Sequence, residues 1–263
     1  MLTTPTAGLA AHPAFTSAST LLLQRPSIER ERLGQDPIAA RRYDLKSVVP
    51  PTTIPQLLQA VPADWQVVTS AGLALSTYST VYFDTPELRL FRDHRQGRLR
   101  RFKVRTRRYA DGHTVLELKL RGPARLTEKL RRNHQVHGAL TSDDLDWIEA
   151  SVRGRAQPRK LTTLTVSAWT SYKRAVLRSP DGSERLTIDL GLTVGVDGSP
   201  SASAHAAVVE VKSLAPRSRL APTLLRLGAR PVRLSKYAYA ISTGHDAHAN
   251  RWRPAVRRLS DER

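Results

Sequence analysis

Several stretches of this chain alternate apolar and charged residues with a period of two. In Arg101-Phe102-Lys103-Val104-Arg105-Thr106-Arg107 a cation stands at every second position. Leu116-Glu117-Leu118-Lys119-Leu120, Arg185-Leu186-Thr187-Ile188-Asp189 and Val208-Val209-Glu210-Val211-Lys212 repeat the device. Side chains of a β-strand point to opposite faces in turn, so each stretch carries one apolar face and one ionic face. Solvent explains any single strand of this kind. Several of them, with paired cations and few carboxylates, predict a sheet curled so that its ionic face lines a cavity, and a cavity lined mostly by cations calls for a polyanion.

The pattern around these stretches supplies the other elements. Arg42-Tyr43-Asp44-Leu45-Lys46 opens a first strand, Pro50-Pro51 closes it, and 54–61 makes a short amphipathic helix. Residues 77–84 (TYSTVYFD) are β-branched and aromatic, hence a strand, and Thr85-Pro86 starts a helical turn with Leu88, Leu90 and Phe91 as its apolar side. A hairpin joins 99–109 to 114–121 across Ala110-Asp111-Gly112, and 126–136 follows as a strand carrying Lys129 and Arg131. Thr141-Ser142-Asp143-Asp144 has the chemistry of a helix N-terminus, with Leu145, Ile148 and Val152 behind it at helical spacing. A second hairpin joins 169–177 to 184–190, a strand runs over 208–212, and helices occupy 220–227 and 235–241.

The sum is an α+β fold of about eight antiparallel strands with flanking helices. Closing the strands into a barrel removes exposed sheet edges, so an antiparallel β-barrel over 41–243 is the expected architecture. Residues 1–40, without sustained periodicity, read as a flexible leader, and 244–263 as a basic, mobile tail.

Composition sharpens the expectation of a polyanion. The 263 residues hold 42 Lys+Arg against 23 Asp+Glu, a formal charge of +19, which attracts phosphates, nucleic acid or anionic lipid alike. Only eight of the cations are lysines, and most of those, among them Lys46, Lys103, Lys119, Lys129, Lys212 and Lys236, fall in the expected strands or their close flanks. An ammonium is a compact point charge suited to phosphate oxygens. With no cysteine, structural disulfides, thiolate zinc sites and a cysteine nucleophile are excluded. No apolar run approaches the roughly 20 residues of a membrane span, and no basic start precedes Leu21-Leu22-Leu23. No transmembrane segment and no secretory signal are therefore expected, and the default location is cytoplasmic. No recognised nucleic-acid motif is present, and aromatics at 6% are too few for an evident stacking platform, so no specific nucleic-acid partner is expected.

Taken in order over 41–243, the pieces Arg42-Tyr43-Asp44-Leu45-Lys46, Tyr82-Phe83-Asp84-Thr85, Lys103 to Tyr109 and Leu116 to Lys119 form the first half of a series. Glu128-Lys129, Tyr172-Lys173-Arg174, Arg185 to Asp189, Val209 to Lys212 and Ser235-Lys236-Tyr237 complete it. This series resembles the vacuolar transporter chaperone (VTC) domain, the polyphosphate polymerase branch of the triphosphate tunnel metalloenzymes. The resemblance implies a basic tunnel gripping a triphosphate, a divalent metal on an acidic residue, and transfer of the terminal phosphate of ATP to a growing polyphosphate chain. ATP, or another triphosphate, and polyphosphate are the partners it implies.

Phosphoryl transfer is chiefly positioning and neutralisation of charge on phosphate oxygens. On that reading Lys46, Arg105, Arg107, Lys119, Arg174 and Lys236 are the catalytic cations, and Lys103, Lys129, Arg185 and Lys212 are further phosphate-binding groups. Glu210, at the family's metal position and sharing a face with Lys212, is the metal ligand. Asp189 and Glu117 are secondary candidates whose other reading is a salt bridge to neighbouring cations. Oxygen ligands without His or Cys favour Mn2+ or Mg2+.

Two departures bear on the activity. The hydrolases of the tunnel superfamily resemble a Glu-x-Glu-x-Lys opening, whereas Tyr43-Asp44-Leu45-Lys46 offers one carboxylate, which favours the polymerase branch over a triphosphatase. Eukaryotic VTC subunits also resemble a longer plan with a phosphate-sensing domain and a membrane region, so sensing and translocation are expected of other chains. An inorganic or nucleoside triphosphatase using the same tunnel, or a non-enzymatic polyphosphate binder, are the competing readings.

Overall fold

The computed structural model describes residues 13–33, 42–122, 127–155, 163–245 and 250–260. In chain order they form α1 (Pro13–Leu23), β1 (Ser27–Glu29), β2 (Tyr43–Val49), α2 (Thr53–Ala60), β3 (Gln66–Thr69) and β4 (Leu75–Asp84). Then follow α3 (Arg89–Gln96), β5 (Arg101–Arg108), β6 (Thr114–Arg121), β7 (Thr127–His134), α4 (Ser142–Val152), β8 (Thr165–Arg178) and β9 (Glu184–Val196). The last are β10 (Ser199–Ser203), β11 (Ala207–Ser213), α5 (Ala221–Arg226), α6 (Lys236–Gly244) and α7 (Arg253–Ser260). The start of the strand expected at Leu126 lies outside the described residues, as do 1–12, 34–41, 246–249 and 261–263.

Eight strands lie in the order β2-β11-β9-β8-β4-β5-β6-β7, each antiparallel to its neighbours, with β1, β3 and β10 attached off this path. The fold is thus α+β, as expected, but the expected closed barrel needs correction: β2 and β7 end the path and do not pair with each other. The free edge of β2 is taken instead by the segment after α5. Ser47 bridges to Pro231, Val232 N–H donates to Lys46 O at 2.7 Å, and Ser47 Oγ donates to Ala229 O at 3.1 Å. A loop that fills the hydrogen-bonding positions of an edge leaves no room for a closing strand, and protects the edge equally well. Among the described residues β7 pairs with β6 alone, and its Glu128, Lys129 and Arg131 are exposed charges of the kind that guard a sheet edge.

The sheet still curls. Register shifts opposite Tyr82–Phe83, where β8 carries an extra residue, and opposite Ser171–Lys173, where β9 does, bend β8 and β9. Its outer face is apolar and roofed by helices. Leu186, Ile188, Leu190, Val209 and Val211 pack under Ile54, Leu57 and Leu58 of α2, with Leu224 of α5. Val104, Leu116, Leu118 and Leu120 pack under Ile148 and Val152 of α4, whose N-terminus is fixed by a reciprocal Thr141–Asp144 capping box. A third cluster fills one end of the inner face, where Tyr237 to Ile241 of α6 meet Tyr82, Phe91, Tyr172 and Trp252.

Two segments differ from the expected leader and tail. Ala18 and Leu22 of α1 are buried in the core beside α2, and β1 adds a parallel pairing to β3. At the other end Trp252 and Leu259 are buried against α6. Over 13–33 and 250–260, then, the chain folds onto the sheet through a few apolar residues set among small or basic ones.

Candidate functional site

Antiparallel residues directly opposite one another point to the same side of a sheet, so register alone assembles the inner face. From β2, Lys46 opposes Glu210 and Asp44 opposes Lys212. Lys212 in turn opposes Arg185, and Asp189 opposes Arg174. Tyr172 opposes Tyr78, Thr80 opposes Arg107, and Tyr82 opposes Arg105. Lys103 and Arg105 oppose Lys119 and Glu117, which oppose Lys129 and Arg131. All the strand-borne candidates therefore share one face. Lys236 joins them from the first turn of α6. Lys46, on one end strand, acts electrostatically on Lys103 and Lys119 of β5 and β6, so curling has brought the two halves of the face toward each other.

Three carboxylates organise these cations, and each does so differently. Glu117, 1% exposed, is reached by four: Arg105 at 2.5 Å, Lys129 at 2.6 Å, Arg131 at 2.8 Å and Arg107 at 3.6 Å. Burial opposes its charge, but those cations outweigh burial and hold its carboxyl well below the usual range. Asp189 takes a bidentate pair from Arg174, Nε to Oδ1 at 2.5 Å and Nη2 to Oδ2 at 2.7 Å, and a further bond from Lys236 Nζ. Among the described residues Glu210 pairs with two lysines, Lys46 Nζ at 3.2 Å and Lys212 Nζ at 3.6 Å. Burial again opposes its charge, and Lys46, Lys212, Arg174 and Lys236 keep it ionised.

The cations also crowd one another. Lys103, Lys119 and Lys129 stand directly opposite one another across β5, β6 and β7, an arrangement of like charges that is unfavourable without a counter-ion. Burial, then Lys46 and Arg105, push Lys119 down to about 8. Partial burial, with Arg105, Arg131 and Arg107 beside it, lowers Lys129 from the usual lysine value, while Glu117 at 2.6 Å opposes the shift and keeps it paired. Burial and then Lys119 hold Lys103 well below the usual lysine value. Its Nζ lies 2.8 Å from His94 Nε2 and donates to Ser235 Oγ at 3.1 Å. Lys212 is pushed down to about 8 by burial, with Glu210 opposing. This face is charged in excess of its acids and suited to an anion with several oxygens.

A buried latch positions α6 over the face. Asp84, fully buried at the end of β4, accepts the backbone N–H of Thr85, Leu90 and Phe91 and the hydroxyl of Tyr237 at 2.5 Å. Tyr237 also stacks on Tyr82 at 4.8 Å. The next residue back, Lys236, is thereby set beside Asp189 with its Nζ 4.6 Å from the Tyr172 ring centroid, and Ser235 Oγ caps the helix by accepting Ala238 N–H. Sequence reasoning missed the parts played by Asp84, His94, Ser235 and Arg131. Parity with Lys129 was a usable signal for Arg131, and Asp84 stood in the Tyr82–Thr85 piece, but its bond to Tyr237 of α6 spans 153 residues of chain and had no local signal.

Over residues 41–245 the chain matches the VTC domain. The chain belongs to the VTC domain family. No curated protein matches it significantly. Among solved structures, a protein from Hippeastrum described as a putative adenylyl cyclase with a dominant triphosphatase activity is similar at 16% identity. That match covers 78% of this chain and 97% of the other, with a TM-score of 0.43. An inorganic triphosphatase is similar at 13% identity over 78% of this chain and 97% of its own, with a TM-score of 0.33.

The acids of this VTC domain fit a divalent cation in a restricted way. Among the described residues no three His, Asp or Glu side chains converge as a metal cage. Glu117 and Asp189 are enclosed by guanidinium forks, whereas Glu210 has only the longer contacts to two lysines. A hard cation such as Mg2+ is commonly held by one or two carboxylates together with substrate phosphates and water, and Glu210 suits that role. Among the described residues, no helix is long and apolar enough to cross a membrane.

Proposed function

We propose that this VTC domain is a polyphosphate polymerase, transferring the terminal phosphoryl group of ATP to the end of a growing polyphosphate chain. A terminal oxygen of the acceptor forms the new P–O bond while the bond to the β-phosphate breaks and ADP leaves. The observation that carries this reading is the length of the cation row. Arg101, Lys103, Arg105 and Arg107 share the inner face of β5, and six strand residues span about 20 Å. That row is longer than one triphosphate reaches, so it suits a donor and an acceptor chain together.

Lys46, Arg105, Arg107, Lys119, Arg174 and Lys236 bind and orient the phosphates and neutralise the charge that develops on their oxygens. Lys103, Lys129, Arg185 and Lys212 extend the grip. Glu210 would hold Mn2+ or Mg2+, which supplies further neutralisation of phosphate charge when bound. The single carboxylate of the opening strand, Asp44, is already engaged with Arg42 at 2.9 Å, which supports an acceptor other than water.

The test is direct: incubate the protein with ATP and Mn2+ or Mg2+ and resolve polyphosphate, ADP and orthophosphate. Polymer with stoichiometric ADP is expected. Orthophosphate without polymer would establish a triphosphatase instead, and binding with no turnover a polyphosphate-binding module.

A further inference from the structure

Three guanidinium groups converge on the ring of Tyr78, which β4 presents on the ionic face. Arg174 lies 5.1 Å, Arg107 5.6 Å and Arg30 5.7 Å from its centroid. Arg174 and Arg107 answer to carboxylates, Asp189 at 2.5 Å and Glu117 at 3.6 Å. Arg30 does not. Among the described residues its partners are the Tyr78 hydroxyl, to which Nη2 donates at 2.5 Å, and the Tyr109 ring at 5.1 Å, while its buried Nε has no hydrogen-bond partner. Two phenol faces attract a cation but do not neutralise it, and Arg30 is half-buried, so its charge is partly withdrawn from water without an anion among the described residues to offset it.

The chain takes some trouble to put Arg30 there. β1 pairs in parallel with β3, Ser27 opposite Val67 and Glu29 opposite Thr69, and the 3-10 turn Arg30–Leu33 follows at once. Glu29 braces the same corner by accepting Gly72 N–H at 3.2 Å. This segment precedes the 41–245 stretch matched by the family, so Arg30 comes from outside the matched domain.

We infer that Arg30 is a further phosphate-binding residue, closing the Tyr78 end of the ionic face and supplying the guanidinium N–H groups that Tyr78 does not engage to a phosphate oxygen shared with Arg107 and Arg174. The ligand class is the phosphoryl group of a linear polyphosphate or triphosphate. The inference rests on the phosphate-binding reading of this face, so its test is equilibrium binding, which is independent of turnover.

Inorganic tripolyphosphate is titrated by calorimetry into the wild-type chain, Arg30→Met and Arg30→Lys, at several salt concentrations, and the ligand-free melting temperature of each is recorded. Arg30→Met keeps the apolar stem and loses the charge; binding is expected to weaken about ten-fold or more, as for loss of a charge-assisted hydrogen bond. Its dependence on salt should become shallower. Arg30→Lys, charged but without a fork, should fall between, and it carries the test if the methionine variant does not fold. A latch that merely holds Tyr78 predicts a lower ligand-free melting temperature with unchanged affinity and salt dependence, and that result overturns the inference. Failure of the wild-type chain to bind tripolyphosphate would remove the phosphate reading itself, whereas equal binding by all three chains removes Arg30 alone.

Discussion

Glu117→Gln is the most informative single perturbation of this face. The carboxylate is 1% exposed and faces four cations, Arg105, Lys129, Arg131 and Arg107, at 2.5, 2.6, 2.8 and 3.6 Å. The amide keeps the shape and removes the charge, leaving those cations facing one another. Removing one partner of a buried ion pair costs about 3–5 kcal/mol. In a chain of this size that lowers the melting temperature by roughly 6–20 °C. A polyanion supplies the missing counter-ion, so tripolyphosphate should raise the melting temperature of the variant by more than it raises that of wild type. At a hundred times its Kd a ligand contributes about 2.7 kcal/mol, enough to recover much of the loss. The assay is thermal or urea denaturation of both proteins with and without tripolyphosphate. A ligand-free variant within about 1 kcal/mol of wild type, the size of an exposed pair, would refute the reasoning. So would a ligand-induced rise no larger than that of wild type.

Three other outcomes are expected. Glu210→Gln should nearly abolish turnover and metal dependence while costing less stability than Glu117→Gln, since two lysines rather than four cations lose their partner; steady-state rates and urea midpoints measure both. Lys119 and Lys212, pushed down to about 8 from 10.5, hold fewer protons in the folded than in the unfolded chain between those values, so ligand-free stability should rise with pH across that window. Bound phosphate favours the charged ammonium, so tripolyphosphate binding should take up protons near pH 8 and weaken above it, as calorimetry in buffers of differing ionisation enthalpy would read. Asp84→Asn sets an amide donor against the four donors that now converge on the carboxylate, costing about 1–3 kcal/mol or more. Loss of activity beyond what the remaining folded fraction explains would show that the latch sets Lys236, and full activity would show that it does not.

How much of this could be read in advance follows from how local each property is. A strand's parity is local, so Arg105, Glu117, Lys119 and Glu210 declared a common side without any partner strand in view. The 99–121 hairpin was legible for the same reason: Gly112 at φ +81°, the left-handed turn conformation that glycine favours, sits between two alternating runs. Closure is not local. Whether β2 meets β7 was decided by the segment after α5, which reaches β2 first through the Val232 N–H to Lys46 O bond. Nor is burial of a weak amphipath. Among the described side chains of α1, Ala18 and Leu22, four residues apart, become fully buried, set among Ser and Thr, and in α7 Ala255 and Leu259 are spaced alike beneath arginines. In each case composition masked a two-residue apolar stripe.

The three acids show where sequence reasoning stops. Glu117, Asp189 and Glu210 look alike along the chain, each a carboxylate on a strand with a cation two or four residues away. Their difference lies in what the curled sheet brings to them. Arg105, Arg107, Lys129 and Arg131 come from two strands flanking Glu117, and Arg174 and Lys236 from a strand and a helix onto Asp189. Glu210 opposes Lys46 on one side and only the uncharged Thr187 on the other. Guanidinium forks bind carboxylates in a fixed planar geometry, while an ammonium at 3.2–3.6 Å is a point charge that can yield to a harder cation. The supply of forks, rather than place in the sequence, thus separates Glu117 and Asp189, held by guanidinium groups, from Glu210, which among the described residues pairs with lysines.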